Sequence, residues 1–431
     1  MGGPLHPPPE VYERWIEMLR EDRVALKTCT LACREWVPLS QRYLFEHVRV
    51  QGAPRWLRFL HLLESSASKG SDVGRYIRKF ELIDISLGCA LQPLFEDIVR
   101  RIGHRRMPNV EHLSLRGWDW VSVVERAQDH DPESVPRRVL KGLFPFNKLI
   151  ELELIDNVTR YPHIIPQLFT FFPCLSILRL KDVRLSADAP IGLTNMPLER
   201  EVQVIVPIKI QEFHLHGQSS DYLTVNLLDF IVKPPFQLAL RTLDLSELDI
   251  PLTGRSVSDM LMRSTETIQH LCITHQFIHL LNLSHFAQLH FISLHWCVST
   301  DISVADDIQA LFSDIAGHCS LRVVEMRFSL MQSHRLVEEQ MPFAGLDAIL
   351  LALHSRCPAI AVRFHFSFHV FVKAGNMLSR PQITPLLKAS TGLATAAGLH
   401  ATVTSHTTFW GMPGNVEGEE ALVEEMDLSG E

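Results

Sequence analysis

A short apolar pattern recurs ten times between residues 77 and 364, and it constrains the fold more than any other feature of the chain. Most copies place apolar side chains at the first, fourth and sixth positions, and the last copy is looser. Alternation of apolar and polar residues is typical of a strand with one buried face. A short motif that recurs along the chain is typical of proteins whose repeats stack on one another. The copies begin at Ile77, Val110, Leu149, Leu175, Ile210, Leu240, Ile268, Leu289, Leu321 and Ile360.

The intervals between copies are irregular. Measured at the middle apolar position they run from 21 to 39 residues, against roughly 20 to 29 in regular leucine-rich repeats. Segments such as 91–102 and 305–316 are amphipathic and predict helices between the strands, a rhythm that indicates a parallel sheet. The array resembles the leucine-rich repeat solenoid, although the Asn or Cys expected after the strand occurs only as Asn157 and Cys297. We therefore expect an α/β fold with an irregular leucine-rich-repeat-like solenoid over residues 74–373.

The two ends of the chain differ from the array. Strict alternation from Val362 to Val372 predicts one long strand that closes the sheet. Residues 376–431 lack clear periodicity and end in an acidic tail, so we expect this C-terminal region to be mobile. Residues 8–50 have helical spacing instead, with three groups of apolar residues that predict three short helices, the third running through Val48. A module this small is marginal alone and is expected to dock on a neighbour.

This N-terminal segment resembles the F-box-like domain of many fungal proteins with irregular leucine-rich repeats. The matching positions are Pro9, Glu10, Val11, Ile16, Leu19, Asp22, Leu26, Cys29, Leu31, Cys33, Trp36, Leu44 and Phe45. The sequence departs from the family pattern at Pro8, where the family has Leu, and at Ala32, where it has Val.

The resemblance implies a short three-helix module that binds a Skp-type adaptor and, through it, a cullin. Carried over to this chain, the residues expected to bind the adaptor are Pro9, Val11, Ile16, Leu19, Leu26, Cys29, Leu31, Cys33 and Trp36. The family's activity, recruitment of a protein substrate to an SCF-type ubiquitin ligase, then becomes the leading hypothesis for the whole chain.

Composition excludes several other classes of protein. A net charge of −8 and a pI near 6.3 disfavour a nucleic-acid binder, because phosphate neutralisation needs a basic face. No run of 18 apolar residues is present, and the first residues lack the basic and apolar parts of a signal peptide. Eight scattered cysteines among apolar neighbours are typical of a reducing compartment. We expect no membrane contact and a cytoplasmic or nuclear location.

Motifs for catalysis are missing from the sequence. It contains no Gly-x-Ser-x-Gly and no glycine-rich phosphate loop, so we expect no enzyme and no cofactor. Histidine is abundant, with 22 copies, and a cluster of His and Cys lies between His270 and His295. Its spacing lacks the paired ligands of a zinc site, so the sequence predicts no metal centre. A metalloenzyme or hydrolase is therefore the least favoured interpretation.

The polar residue between the last two apolar positions of each strand is the candidate contact with a substrate, because alternation places it on the concave face of a solenoid. Its mixed charges suit a protein partner better than a polyanion. The residues expected to bind substrate are Glu153, Arg179, His214, Asp244, Cys272, Ser293, Glu325 and Arg363. The alternative is a scaffold outside any ligase, whose F-box-like segment only caps the end of the repeats.

Overall fold

The structure, a computed structural model, describes residues 8–68, 70–84, 107–120, 144–160, 164–186, 207–217, 221–248, 254–298, 304–313, 320–332, 346–357, 359–371, 401–410 and 424–427. The chain is α/β, and it divides into two compact units. The first comprises Met1–Ile210 and Gly217–Gln237, and the second comprises Gln211–His216 and Leu238–Glu431.

Three short helices open the first unit: α1 (Pro9–Met18), α2 (Arg23–Ala32) and α3 (Trp36–Leu44). Proline begins α1, where its missing N–H costs nothing. The side chain of Asp22 caps α2 by accepting hydrogen bonds of 2.9 Å from the backbone N–H groups of Val24 and Ala25. The three predicted helices are therefore present.

The prediction that the third helix runs through Val48 is wrong. Helix α3 ends at Leu44, and strand β1 (His47–Gln51) follows and pairs in parallel with β2 (Lys79–Ile83). The alternation of His47, Val48, Arg49 and Val50 is a strand period, and Val50 is 3% exposed. The sheet thus begins immediately after the helical module.

The sheet of the first unit is parallel, with the order β1-β2-β3-β4-β6. Its further strands are β3 (His112–Arg116), β4 (Glu151–Ile155) and β6 (Ile177–Lys181), and a separate pair is formed by β5 (Val158–Thr159) and β7 (Arg184–Leu185). Helices α4 (Ala53–Ser68), α5 (Ile164–Phe169) and α6 (Asp221–Ile231) complete the described elements of this unit.

Left-handed residues follow five strands of the first unit, and also the strand that ends at His216. They occupy one repeated position, two residues after Val50 in β1 and two residues after the last apolar position of the pattern in the other strands. Their φ angles lie between 49° and 88°. The backbone N–H groups of four of them donate to the last carbonyl group of the next strand, at 2.9 Å in each case. The six residues are Gly52, Asp84, Gly117, Asp156, Asp182 and Gly217. Glycine and aspartate at this position are therefore a requirement of the backbone.

The second unit contains β8 (Ile208–His216, from Gln211), β9 (Phe236–Leu245, from Leu238), β10 (His270–Thr274), β11 (Phe291–Val298), β12 (Val323–Gln332), β13 (Ala361–Phe371), β14 (Ala401–Trp410) and β15 (Glu424–Asp427). Pairing is parallel from β9 to β14 and antiparallel between β14 and β15. Helices α7 (Gly254–Ser264), α8 (Val304–Ser313) and α9 (Leu346–Arg356) lie between these strands in the chain.

Each of the ten copies of the apolar pattern has its last two apolar positions in a strand. The two apolar side chains of each strand core, from Phe80 and Leu82 in β2 to Val362 and Phe364 in β13, are at most 2% exposed. Burial of side chains of this size stabilises the fold by about 1.5 to 3 kcal/mol each. The predicted strand and parallel-sheet class is confirmed.

At the C-terminal end the sequence analysis was only partly right. The long alternating segment is strand β13, as predicted, but it does not close the sheet, because β14 pairs with it and β15 pairs with β14. The region 376–431 thus contributes two strands, and its remaining residues lie outside the described part of the chain, as does the predicted helix at 91–102. None of the helices that the structure describes is long and apolar enough to cross a membrane.

Candidate functional site

The N-terminal helices separate their apolar residues into a core and an exposed set. Ile16 and Leu26 are 2% and 0% exposed and form the core of the module. The exposed set lies at helical intervals, three apart on α1 and seven apart on α2, so each helix presents it on one face. It consists of Trp15 (49% exposed), Met18 (80%), Val24 (74%) and Leu31 (88%).

The nine residues expected to bind an adaptor occupy different environments. Leu31 and Pro9 are exposed, Ile16 and Leu26 are buried, and the remaining five are partly exposed. The buried pair therefore supports the helices from inside and has no surface to offer a partner. Sequence reasoning missed Trp15, Met18 and Val24, although an apolar residue on the polar side of an amphipathic helix was a readable signal.

Helix α3 anchors the module to the first unit. It packs against the 3₁₀ turn Val73–Tyr76 that precedes β2. Arg23 of α2 donates hydrogen bonds to the carbonyl oxygens of Leu44 (3.3 Å) and His47 (2.9 Å). The module is thus fixed on its α3 side, and the exposed set belongs to α1 and α2.

The predicted row of mid-strand residues lies in register within each unit. In the first unit Glu81, Ser114, Glu153 and Arg179 are successive partners across β2, β3, β4 and β6. In the second unit the row runs Asp244, Cys272, Ser293, Glu325 and Arg363 across β9 to β13. The structure therefore brings the predicted residues of each unit side by side.

In the first unit the row is crosslinked by polar contacts. Ser114 Oγ donates to Glu153 at 2.7 Å. Two residues before Glu153 on the same strand, the carboxylate of Glu151 accepts a hydrogen bond from Arg179 Nε at 2.8 Å and lies 2.7 Å from His112 Nδ1. Most of these side chains keep a partly exposed surface. The face is polar, of mixed charge and fixed in position.

In the second unit the centre of the row is buried. Ser293 is 0% exposed and donates to Glu325, which is 4% exposed, at 3.3 Å. Arg327 Nε also donates to Glu325, and His365 Nε2 lies 3.5 Å from its second oxygen. Burial alone would raise the pKa of Glu325, but the contacts with His365 and Arg327 outweigh it and lower the pKa to about 2. Ser293 and Glu325 are therefore supports for their exposed neighbours.

His295 extends this polar network. Its Nδ1 lies against the carbonyl oxygen of Ser246, and its Nε2 lies 2.8 Å from Ser329 Oγ. Burial lowers the pKa of His295, so the neutral ring donates from Nδ1 to the carbonyl and accepts at Nε2 from the Ser329 hydroxyl. Beside it, burial strongly raises the pKa of the Cys272 thiol, which stays protonated and unreactive.

One close grouping of possible metal ligands lies at the edge of this network. His214 and His216 on β8 and Asp244 on β9 each offer one atom, and the three atoms lie within 4.8 Å of one another. Asp244 Oδ2 is 3.7 Å from His214 Nδ1 and 3.4 Å from His216 Nε2. Burial would raise the pKa of Asp244, but the two histidines and hydrogen bonds from Ser246 lower it below its usual value.

Sequence reasoning did not find this grouping. It considered the histidines between 270 and 295, and within the described residues none of these joins a group of three close ligands. The missed signal was His-x-His on a strand, which places two imidazoles on one face, while the third ligand comes from the neighbouring strand. A search for pairs of metal ligands close together in the sequence does not find a site whose ligands come from neighbouring strands.

Comparison of the chain with protein-family models and with curated proteins finds no match. The functional argument therefore depends on the residues of this chain.

Proposed function

We propose that this chain is a substrate-receptor subunit of a cullin-based SCF-type ubiquitin ligase. Residues 8–50 bind a Skp-type adaptor, and the strand repeats, as an irregular leucine-rich-repeat-like solenoid, hold a protein substrate. The chain itself carries out no catalysis and works in the cytoplasm or the nucleus. Holding a substrate near the conjugating enzyme raises its effective concentration, which is sufficient for transfer.

The observation that carries the proposal is the exposed apolar set on α1 and α2. Four large apolar side chains that remain 49% to 88% exposed on one small module suit a surface that a partner covers. Leu31, at 88% exposed, is also one of the positions that match the F-box-like pattern. The side of the module that packs on the first unit is the α3 side, so α1 and α2 present this set for a partner.

The polar rows support the substrate half of the proposal. Neither row has charge of a single sign, since acidic, basic and neutral side chains alternate across successive strands. Crosslinks such as Ser114 to Glu153 fix these side chains before binding, which reduces the entropy cost of recognition. Such a surface favours a protein segment with complementary charges.

The test is capture of a purified Skp-type adaptor by the full-length chain. We expect the wild type to bind and Leu31→Asp to lose binding by at least about tenfold, because the substitution places a charge in the most exposed member of the apolar set. His61→Ala, an exposed position on α4 outside the exposed set, is the control and should bind as the wild type does.

Leu26→Asp would not serve as the test variant, because Leu26 is fully buried and a charge there disrupts the helices themselves. Failure of the wild type to bind, or equal binding by Leu31→Asp, contradicts the proposal. Circular dichroism of each variant establishes that the helices are intact.

A second candidate function follows from the buried pair in the same module. Ile16 and Leu26 are inside, and α3 packs on the turn before β2, as expected of a segment that caps the repeats. On this alternative the chain is a scaffold outside any ligase, and no adaptor binds to it. The adaptor capture above distinguishes the two functions directly.

A further inference from the structure

The grouping of His214, His216 and Asp244 has ligand types, distances and surroundings that differ from those of an ordinary charge pair. We propose that these three residues bind one zinc ion, with Glu212 and Glu247 orienting the two histidines. His214 and Asp244 also belong to the predicted substrate row, but none of the five residues lies in the N-terminal module, so zinc binding is tested separately from adaptor binding.

The distances from the two histidines to Asp244 are longer than those of two other histidine–carboxylate pairs in the described part of the protein. A charged histidine bonded to a carboxylate has a nitrogen–oxygen distance of about 2.7 to 2.9 Å. Among the described residues, His47 lies at hydrogen-bond distance from Glu81 (2.8 Å), and His112 does so from Glu151 (2.7 Å). The two distances to Asp244 Oδ2 are 3.4 and 3.7 Å. Ligands about 2.0 to 2.1 Å from a tetrahedral zinc ion lie about 3.3 Å from one another, which these distances approach.

The second nitrogen of each imidazole supports the same conclusion. His214 Nε2 lies 3.7 Å from Glu212 Oε2, and His216 Nδ1 lies 3.9 Å from Glu247 Oε2. Each ring thus lies between two carboxylates, although a neutral imidazole has only one N–H to donate. A cation at the inner nitrogens leaves the N–H of each ring on the side of its outer glutamate, which accepts it once the carboxylate moves closer by about 1 Å, the arrangement that orients histidine ligands in metal sites.

The third ligand is also held in place. Asp244 Oδ1 accepts hydrogen bonds from Ser246, at 3.1 Å from the backbone N–H and 2.7 Å from the hydroxyl group. These bonds leave Oδ2 directed at the two histidines. Side chains that are 15%, 23% and 19% exposed, for His214, His216 and Asp244, leave the site within reach of solvent.

The donor set favours a transition-metal ion over the hard cations. Two imidazoles and one carboxylate suit zinc, whereas magnesium and calcium prefer oxygen ligands alone. Three protein ligands leave one of the four positions for water or for a donor group of a bound molecule, as in zinc sites that act on ligands.

Isothermal titration of the chelator-treated full-length chain with zinc chloride, against a weak competing chelator in the buffer, tests the proposal. We expect one tight equivalent for the wild type and no heat above dilution with magnesium chloride. His216→Ala and Asp244→Asn should each weaken zinc binding by at least about 100-fold, and Glu247→Gln by about tenfold or more.

Two controls keep the result decisive. His112→Ala removes a histidine that faces one carboxylate on another strand, and it should bind zinc as the wild type does. Glu247 is about half exposed, so Glu247→Gln remains folded even where substitution of a ligand disturbs the sheet. Absence of a tight equivalent in the wild type, or unchanged affinity in Asp244→Asn and Glu247→Gln, overturns the proposal.

Discussion

Asn157 shows how much one side chain can contribute inside a repeat. It is 0% exposed, and its amide nitrogen donates to the carbonyl oxygens of Leu115 and Ile155, both at 2.8 Å. Its amide oxygen accepts from the indole N–H of Trp120 at 3.0 Å. The sequence indicated this residue because it follows the strand at the position where leucine-rich repeats have asparagine, and the buried contacts explain that choice.

Replacement of Asn157 by alanine removes the partner of the Leu115 carbonyl and of the Trp120 indole N–H, whereas the Ile155 carbonyl keeps its bond from the Gly117 N–H. Each of the two losses costs about 1 to 3 kcal/mol, and partial relaxation reduces the total, so we expect Asn157→Ala to lower the unfolding free energy by about 3 kcal/mol. Urea unfolding followed by tryptophan fluorescence measures the change. Asn109→Ala, in a more exposed setting, should cost less than about 1 kcal/mol. Equal losses for the two variants would show that the buried contacts contribute nothing.

Glu325 makes a pH-dependent contribution to stability. Its pKa is about 2 in the folded chain, against 4.5 for an ordinary glutamate. A lowered pKa stabilises the fold above pH 4.5, and this stabilisation is lost as the pH falls from 4.5 towards 2. We expect the wild type to exceed Glu325→Gln in melting temperature at pH 7 and the difference to shrink at pH 3. A difference that is the same at both pH values would contradict the assignment.

At the scale of elements, the turns after β1, β2, β3, β4, β6 and β8 each depend on one left-handed residue. Glycine or aspartate recurs there because side chains at positive φ cost about 1 to 2 kcal/mol unless they are absent or short and polar. The strands and parallel class followed directly from the apolar pattern. The end of the third helix was predicted too late because the apolar residues that follow Leu39 fit both a helical and a strand period. Pairing with β2 decides between the two.

Two glycines with similar φ provide a matched test of these turns. A Cβ on Gly217 (φ 88°) would lie 2.1 Å from Asp182 Oδ1 and 3.0 Å from the Asp182 backbone nitrogen, whereas a Cβ on Gly70 (φ 78°) meets no atom within 4 Å. We expect Gly70→Ala to cost about 1 kcal/mol and Gly217→Ala at least about 1 kcal/mol more. Thermal unfolding of both variants measures the difference, and equal costs would remove steric contact as an explanation.

At the scale of the whole molecule, the sequence predicted the strands that have a regular apolar pattern. It did not predict the features that depend on which strands lie side by side. Ten strands were recognisable because their apolar positions recur at fixed intervals. Strand β14 was not, because residues 401–410 carry many Thr and Ser side chains and little apolar alternation. The grouping of His214, His216 and Asp244 was missed for the same reason, since it joins residues about thirty positions apart in the chain.

The exposed set on α1 and α2 is the feature on which the account of function depends. Hydrogen–deuterium exchange of the full-length chain, with and without a purified Skp-type adaptor, tests this feature most directly. We expect the adaptor to slow exchange in Pro9–Ala32, to leave β3 and β4 unchanged, and to have no effect on the Leu31→Asp variant. Unchanged exchange in Pro9–Ala32 of the wild type at saturating adaptor, or protection confined to the strands, would contradict the account.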